Sequence, residues 1–395
     1  MKSFVYYTPT KVFFGEDAET HIGEALKAYG VKKALLHSGG GSIKKIGLYD
    51  KVVEQLRQAD IPFVEVGGVE PNPKISLVRK TLELCRAEGV DFLLGVGGGS
   101  VSDSCKAIGM GLSTGLDPWE VIVRGIVPEK PFPMGLVLTI AAAGSEMSNS
   151  CVITNEESHL KRGCNHDANR PTFAFMNPAN TLSVSQFQTA AGVVDIMMHT
   201  MERYLTNEPA TLLTDRIAEA LLRTVRECGS RLMEAPDDLE ARAQMMWAST
   251  LGHNDLTGCG RNKTFTVHKI EHDLSGVHDQ ITHGAGLAVL FPAWVRYEYK
   301  NGLDRFAQWA VNVWDATPGP DQEKTILEGV DHMVAFFRSL HMPTTMEELG
   351  VKPEEYAYIS QLTTEGDKKP LPSFGAPLTS REIQEIYRLA EAPKA

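Results

Sequence analysis

Three consecutive glycines, Gly97-Gly98-Gly99, stand between an apolar run, Phe92-Leu93-Leu94-Gly95-Val96, and a helix-patterned stretch from Val101 to Leu112. A strand that enters a glycine turn and leaves as a helix lets the backbone approach a ligand closely. It also points successive N–H groups at that ligand and adds the positive end of a helix dipole. This is an anion cradle, most naturally for a pyrophosphate. The competing reading is a plain strand-to-helix turn capped by Ser100, and the strand before and helix after favour the ligand. The spacing is neither G-x-G-x-x-G nor G-x-x-x-x-G-K-[ST], so neither common nucleotide fingerprint applies.

The same alternation recurs from Lys32 to about Pro178. Lys33-Ala34-Leu35-Leu36-His37 precedes a second glycine cluster and a helix over Tyr49–Ala59, and Phe63-Val64-Glu65-Val66 precedes a helix over Ile75–Glu88. Strands alternating with helices imply a parallel, doubly wound sheet. The second cluster, Gly39-Gly40-Gly41-Ser42-Ile43-Lys44-Lys45, ends a strand at which dinucleotide enzymes that select an unphosphorylated ribose carry Asp or Glu. No carboxylate stands there, and the small residues with Ser42, Lys44 and Lys45 favour NADP(H) over NAD(H), although the lysines read equally as solvated residues at a helix start. Near the start, Val12-Phe13-Phe14 reads as a strand that forms a hairpin with Phe4–Tyr7, an edge or dimer element.

Beyond Ser183 the period becomes helical: Val193–Tyr204, Leu212–Ala235, Asp238–Leu251, Thr264–Leu274, Leu303–Val313, Lys324–Ser339 and Thr379–Ala390 carry apolar residues near i, i+3 and i+4. The expected fold class is therefore an α/β N-terminal dinucleotide-binding domain over 1–185, a Rossmann-like parallel sheet, plus an all-α C-terminal metal-binding domain over 186–395. Their boundary is expected near 180–190, with a cleft between them. The formal charge of −11, from 39 basic and 50 acidic residues, argues against nucleic acid. No apolar run approaches the length of a membrane span and the N-terminus lacks a signal-peptide pattern. The six cysteines are dispersed without a C-x-x-C pair, which fits the cytoplasm and free thiols that fill cores.

Six of the twelve histidines fall between His199 and His283. Asp195 and His199 are one helical turn apart, and so are His268 and His272, so each pair can grip one ion from one helix face. His283, before Gly284-Ala285-Gly286, offers a further ligand. A carboxylate with three imidazoles suits Fe²⁺ or Zn²⁺ better than Mg²⁺ or Ca²⁺, and the absence of thiolate favours an open catalytic site. The remaining histidines, His159 and His278 among them, read as ordinary polar residues.

Gly97-Gly98-Gly99-Ser100-x-x-Asp103-x-x-Lys106, Gly144-Ser145-Glu146 before Val152-Ile153-Thr154, Asp195-x-x-x-His199, and His268-x-x-x-His272 followed by His283-Gly284 together resemble the iron-containing alcohol dehydrogenases. Ile43-Lys44-Lys45-x-Gly47-x-Tyr49-Asp50 and His283–Ala288 through Phe291-Pro292-Ala293-Trp294 resemble that family's NADPH-dependent butanol dehydrogenase branch. The resemblance covers nearly the whole chain. It implies Asp195, His199, His268 and His283 as metal ligands and His272 as a catalytic proton relay beside them. It implies Gly97, Gly98, Gly99, Ser100 and Asp103 along the pyrophosphate and nicotinamide. Gly39, Gly40, Gly41 and Ser42 belong to the same cofactor site, and Asn72, Thr139 and Lys161 match positions that touch the cofactor. Two departures stand out. Ala143 replaces the usual Thr before Gly144-Ser145-Glu146, and the His272-to-His283 interval is one residue longer than the branch pattern, with His278 as the other candidate ligand.

The expected activity is thus a metal-dependent, NADP(H)-linked alcohol dehydrogenase or aldehyde reductase acting on small primary alcohols and aldehydes, as a homodimer. The alternatives are a non-redox or polyol- or phosphorylated-substrate enzyme like the dehydroquinate synthase and glycerol dehydrogenase relatives, served by Arg261, Lys263 and Lys269, or a non-catalytic sensor of metal and nucleotide.

Overall fold

The computed structural model describes residues 1–158 and 160–392, so His159 lies outside the described residues. The chain forms two compact units: a sheet unit of Tyr7–Ser185 with Asp237–Asn254, and a helical unit of Met1–Tyr6, Gln186–Pro236 and Asp255–Ala395.

The sheet unit carries strands β1 (Lys11–Phe14), β2 (Ala34–Gly39), β3 (Phe63–Val69), β4 (Phe92–Gly97), β5 (Met134–Leu138), β6 (Ser150–Asn155), β7 (Leu160–Asn165) and β8 (Phe173–Met176). Six of them form one sheet in the order β1-β8-β5-β4-β2-β3. Every pairing in it is parallel. Alternate residues serve opposite faces, as the strand period of two requires: Leu35, Leu93, Leu136 and Ala174 enter one core, while Ala34, Leu36, Phe92, Leu94, Val137 and Phe175 enter the other. The helices α1 (Ile22–Tyr29), α2 (Ser42–Lys45), α3 (Leu48–Gln58), α4 (Ile75–Glu88), α5 (Gly99–Thr114) and α6 (Pro118–Arg124) connect the strands. Strands β6 and β7 form a separate antiparallel hairpin.

Two expectations need correction. Residues 4–7 form no strand, and β1 pairs in parallel with β8 instead of folding back as a hairpin. β1 is an edge strand, and residues 1–6 belong instead to the helical unit, where the Lys2 N–H donates to the Gly260 carbonyl at 2.9 Å. Nor does a single break near 180–190 separate the units, because the sheet unit also takes in residues 237–254.

Helices α7 (Gln186–Tyr204) and α8 (Leu212–Glu234) belong to the helical unit and α9 (Leu239–His253) to the sheet unit. The helical unit continues with α10 (Thr266–Val277), α11 (His283–Glu298), α12 (Leu303–Trp314), α13 (Gln322–Ser339), α14 (Tyr356–Thr363) and α15 (Ser380–Leu389). Trp294, Trp309, Trp314, Phe291, Phe306 and Phe337 are fully buried there. Helix α7 is buried on all sides from Thr189 onward, which marks it as the central helix of that unit. No described helix is long and apolar enough to cross a membrane.

Candidate functional site

In the sheet unit the chain steps from β2 to β3 on one side, then crosses to β4 on the other, so the strand order reverses between β2 and β4. Ligands of open α/β sheets bind outside the carboxyl ends of the strands at such a reversal. Gly39-Gly40-Gly41 ends β2 and Gly97-Gly98-Gly99 ends β4, so both glycine clusters lie there. Asn72 follows β3 in the left-handed region at φ 54°, and Thr139 follows β5 with its N–H on the Gly97 carbonyl at 3.1 Å. Lys161 is buried on β7.

The glycines differ in what requires them. A Cβ on Gly97 would stand 2.6 Å from Val101 Cγ2 and one on Gly98 would stand 2.6 Å from Ile140 Cγ2, so the packing of the turn itself demands both. Gly41 has φ +107°, which favours glycine, whereas a Cβ on Gly40 would meet nothing within 4 Å. Ser100 opens α5, and Asp103, one turn on, is engaged within the protein through both carboxylate oxygens: Ser145 Oγ donates at 2.8 Å and Val152 N at 3.0 Å. Asp103 thereby braces the turn. Lys106 Nζ is fully buried and donates to Ser145 Oγ at 2.8 Å, Ser148 O at 3.1 Å and Ser150 O at 2.7 Å, tying α5 to the loop that follows Ala143. Burial pushes the Asp103 carboxyl up and the Lys106 ammonium down, each partly offset by the other.

In the helical unit three imidazoles face one carboxylate oxygen. Asp195 Oδ1 lies 3.2 Å from His199 Nδ1, 3.7 Å from His268 Nε2 and 3.8 Å from His283 Nε2. Asp195 and His199 share a face of α7, His268 comes from α10, and His283 opens α11. His272, half-buried, has its ring centroid 5.4 Å from that of His283 and 6.5 Å from that of His268. His278 stands apart, with Nε2 3.2 Å from Glu355 Oε1.

Each of these three imidazoles is held through Nδ1 by an acceptor. His199 Nδ1 donates to the Asp195 carbonyl at 3.0 Å, His268 Nδ1 to the Glu202 carboxylate, and His283 Nδ1 to the Glu271 carboxylate. Carbonyls and carboxylates only accept, so Nδ1 carries a proton and Nε2 is directed away from the anchor. His268 Nε2 is buried and has no hydrogen-bond partner among the described residues. A buried ring nitrogen without a hydrogen-bond partner beside a carboxylate, in a set of imidazole nitrogens and carboxylate oxygen, fits a divalent cation such as Fe²⁺ or Zn²⁺ taking the place of a proton. Burial draws His199 well below the ordinary imidazole value. For His268 burial acts the same way, but Glu202 and Asp195 outweigh it and push the ring up to about 9. Glu271, His272 and His283 form a second group whose donor atoms lie within 4.8 Å of one another.

Glu202 and Glu271, which hold His268 and His283, are residues of the candidate site that the sequence analysis missed. Each follows a ligand candidate by three residues, His199 and His268 respectively, and so shares its helix face, and this was the available signal. Phe265 was missed as well. It holds an unusual left-handed φ of 51°, and its ring lies 5.3 Å from that of His268 and 6.2 Å from that of His199. The basic residues nearby are already paired. Arg261 lies 2.7 Å from Asp215 Oδ1 and Lys263 Nζ 2.6 Å from Asp255 Oδ1, while Lys269 is held down by burial.

A doubly wound sheet with glycine turns at its reversal point and a helical unit with a buried imidazole–carboxylate group define a class of chain equipped for a dinucleotide and a divalent cation. The chain belongs to the iron-containing alcohol dehydrogenase family and is an oxidoreductase: the family profile matches residues 9–178, and the profile of the family's C-terminal part matches residues 189–390. The NADH-dependent butanol dehydrogenase A of Clostridium acetobutylicum is 39% identical over 98% of this chain and 99% of its own. The NADPH-dependent aldehyde reductase YqhD of Escherichia coli is 34% identical over 89% of this chain and 90% of its own. Among solved structures, NADH-dependent butanol dehydrogenase A from Thermotoga maritima superposes with a TM-score of 0.95 at 36% identity, covering 99% of both chains. The family implies a dinucleotide cofactor and a metal.

Proposed function

We propose that this chain interconverts aldehydes and small primary alcohols with NADP(H), with Asp195, His199, His268 and His283 holding Fe²⁺ or Zn²⁺ and His272 relaying the proton. The observation that carries the reading is the anchoring of His268 and His283 through Nδ1 by buried carboxylates, which turns both Nε2 atoms toward Asp195 Oδ1 beside His199. When bound, the ion polarises the substrate oxygen as a Lewis acid and the reduced dinucleotide supplies hydride. The chain's own groups do the rest. Glu202 and Glu271 fix the rings, Phe265 offers an apolar wall for an alkyl substituent, and Gly97, Gly98, Gly99 and Ser100 seat a pyrophosphate beside Asn72, Thr139 and Lys161. His272 reaches both the ligand group and solvent, which suits a residue that carries a proton to and from the reacting oxygen.

Relatives bear names with either cofactor. The preference for NADP(H) rests on the glycines that end β2 without a carboxylate, and on Gly40, whose missing side chain no packing demands. Lys44 is less available than its sequence position implies, because its Nζ lies 3.5 Å from Glu65 Oε1 and 4.5 Å from the Tyr49 ring centroid. The phosphorylated-substrate alternative is disfavoured because Arg261 and Lys263 are committed to Asp215 and Asp255. The homodimer belongs to the same reading, supported by the exposed run Phe4-Val5-Tyr6-Tyr7, with Val5 91% exposed, and light scattering checks it.

The test follows consumption of NADPH and NADH with a panel of aliphatic aldehydes, before and after chelation and re-addition of Fe²⁺ or Zn²⁺. Chelator-sensitive turnover with a higher kcat/KM for NADPH is expected. No aldehyde-dependent oxidation of either cofactor overturns the activity, and a higher value for NADH overturns the cofactor preference. His272→Asn is expected to lower turnover by about 100-fold with metal content retained, whereas His268→Ala loses both. Equal metal loss in the two variants rejects the division of roles.

A further inference from the structure

The β6–β7 hairpin places Cys151 directly opposite Cys164. Directly opposed residues of an antiparallel pair project from the same face, with Cα atoms roughly 4.5–5.5 Å apart, inside the roughly 4.4–6.8 Å that a disulfide spans. The two sulfurs have unlike surroundings. Cys151 is fully buried, and its thiol donates to the Asp103 carbonyl at 3.3 Å. Cys164 is half-buried, with Asn169 Nδ2 donating to its sulfur at 3.8 Å and Met110 Sδ 3.6 Å away; His166 Nε2 lies 3.4 Å from the same Met110 sulfur. The neighbouring Cys151, then His166 and Asn169, hold the Cys164 thiol down against the opposing effect of burial, while burial drives Cys151 well up. A reachable sulfur with thiolate character and a protonated partner directly across from it is the arrangement of an attacking and a resolving cysteine.

We propose that Cys151 and Cys164 are a reversible redox pair, oxidised by a low-molecular-weight disulfide and coupled through Asp103 to the start of α5. The Cys164 thiolate attacks one sulfur of the incoming disulfide, whose S–S bond breaks and releases one thiolate. Cys151 then loses its proton and attacks Cys164, and the mixed disulfide breaks to release the second thiolate. Two cysteines are oxidised, one external disulfide is reduced, and the cysteine protons end on the two departing thiols. Closure removes the S–H donor from the Asp103 carbonyl, one turn into the helix that the Gly97-Gly98-Gly99 turn opens. Loss of one weak hydrogen bond there is expected to raise amide exchange over residues 102–107 about threefold.

The experiment equilibrates the full-length, metal-loaded enzyme in glutathione buffers of increasing oxidised fraction, quenches it with acid and maps peptides by mass. The expected result is a linked peptide pair carrying Cys151 and Cys164, lighter by two hydrogens, reversed by dithiothreitol and accompanied by the faster exchange. Cys151→Ser is expected to stop at a glutathione adduct on Cys164. The proposal is overturned if wild-type protein forms no linked pair, if it accumulates a glutathione adduct with Cys151 still reduced, or if the linked form exchanges at the unmodified rate. The wild-type mapping is decisive without any variant having to fold.

Discussion

Glu202 decides which nitrogen of His268 faces Asp195. Its carboxylate also accepts from the N–H groups of Val267 and His268, at 2.7 and 3.1 Å, so it is fixed before it fixes the ring. Glu202→Gln keeps the shape but removes the charge, and its amide can turn to present a donor where the ring needs an acceptor. Metal affinity is expected to fall by about 10–100-fold, with the melting temperature of metal-free protein almost unchanged. Competition against a chromophoric chelator measures this, and an unchanged affinity would deny Glu202 the role. Sequence spacing made Asp195, His199 and His268 legible because i and i+4 share a helix face. It left Glu202 and Glu271 unread, because an acid three residues further along a helix is ordinarily solvated. Only burial, 2% exposure for Glu202 and none for Glu271, separates these from surface charges, and burial comes from neighbours remote in sequence.

At the scale of elements, the ligand group depends on how closely α11 can approach α7. A Cβ on Gly284 would stand 2.2 Å from the backbone oxygen of Ala191, and one on Gly286 would stand 2.8 Å from Glu271 Cγ. The glycines after His283 therefore serve the packing that brings the start of α11 against α7 and α10. Gly284→Ala must move backbone rather than a flexible side chain, so overpacking is expected to cost about 1–3 kcal/mol of stability. It also carries His283 away from Asp195, one turn further along α7 from Ala191. Thermal unfolding and metal content after dialysis test this together, and a variant that keeps its full complement of metal refutes the link between packing and site. The sequence concealed this helix. Residues 284–295 of α11 are buried and Pro292 interrupts its interior, so no one-sided apolar period marks it, whereas amphipathic α8, α12 and α15 were readable from theirs. The parallel sheet was legible for the opposite reason, since strands buried on both faces read as continuous apolar runs between glycine turns.

The chain as a whole leaves the sheet unit after Ser185 and returns to it for residues 237–254. A helical period identifies α9 but says nothing about which core it joins, and a single boundary drawn through the change of period assigns it to the wrong unit. Its contacts within the sheet unit are specific. Arg242 Nη1 donates to the Thr181 carbonyl at 2.7 Å, Thr250 Oγ1 donates to the buried Glu146 carboxylate, Met246 joins the core, and left-handed Gly144 fits against Ser249. A fragment of residues 7–185 alone leaves Glu146 without that donor, at about 1–3 kcal/mol, and loses the burial of Met246 as well. Against a typical total of about 5–15 kcal/mol, those losses are large. The fragment is expected to unfold at lower urea than one in which residues 237–254 are rejoined to it through a flexible glycine–serine linker, with near-ultraviolet dichroism as the probe of fixed packing. Equal midpoints for the two would mean that α9 is carried by the sheet unit without stabilising it, and that a boundary at 185 describes the folding of the chain after all.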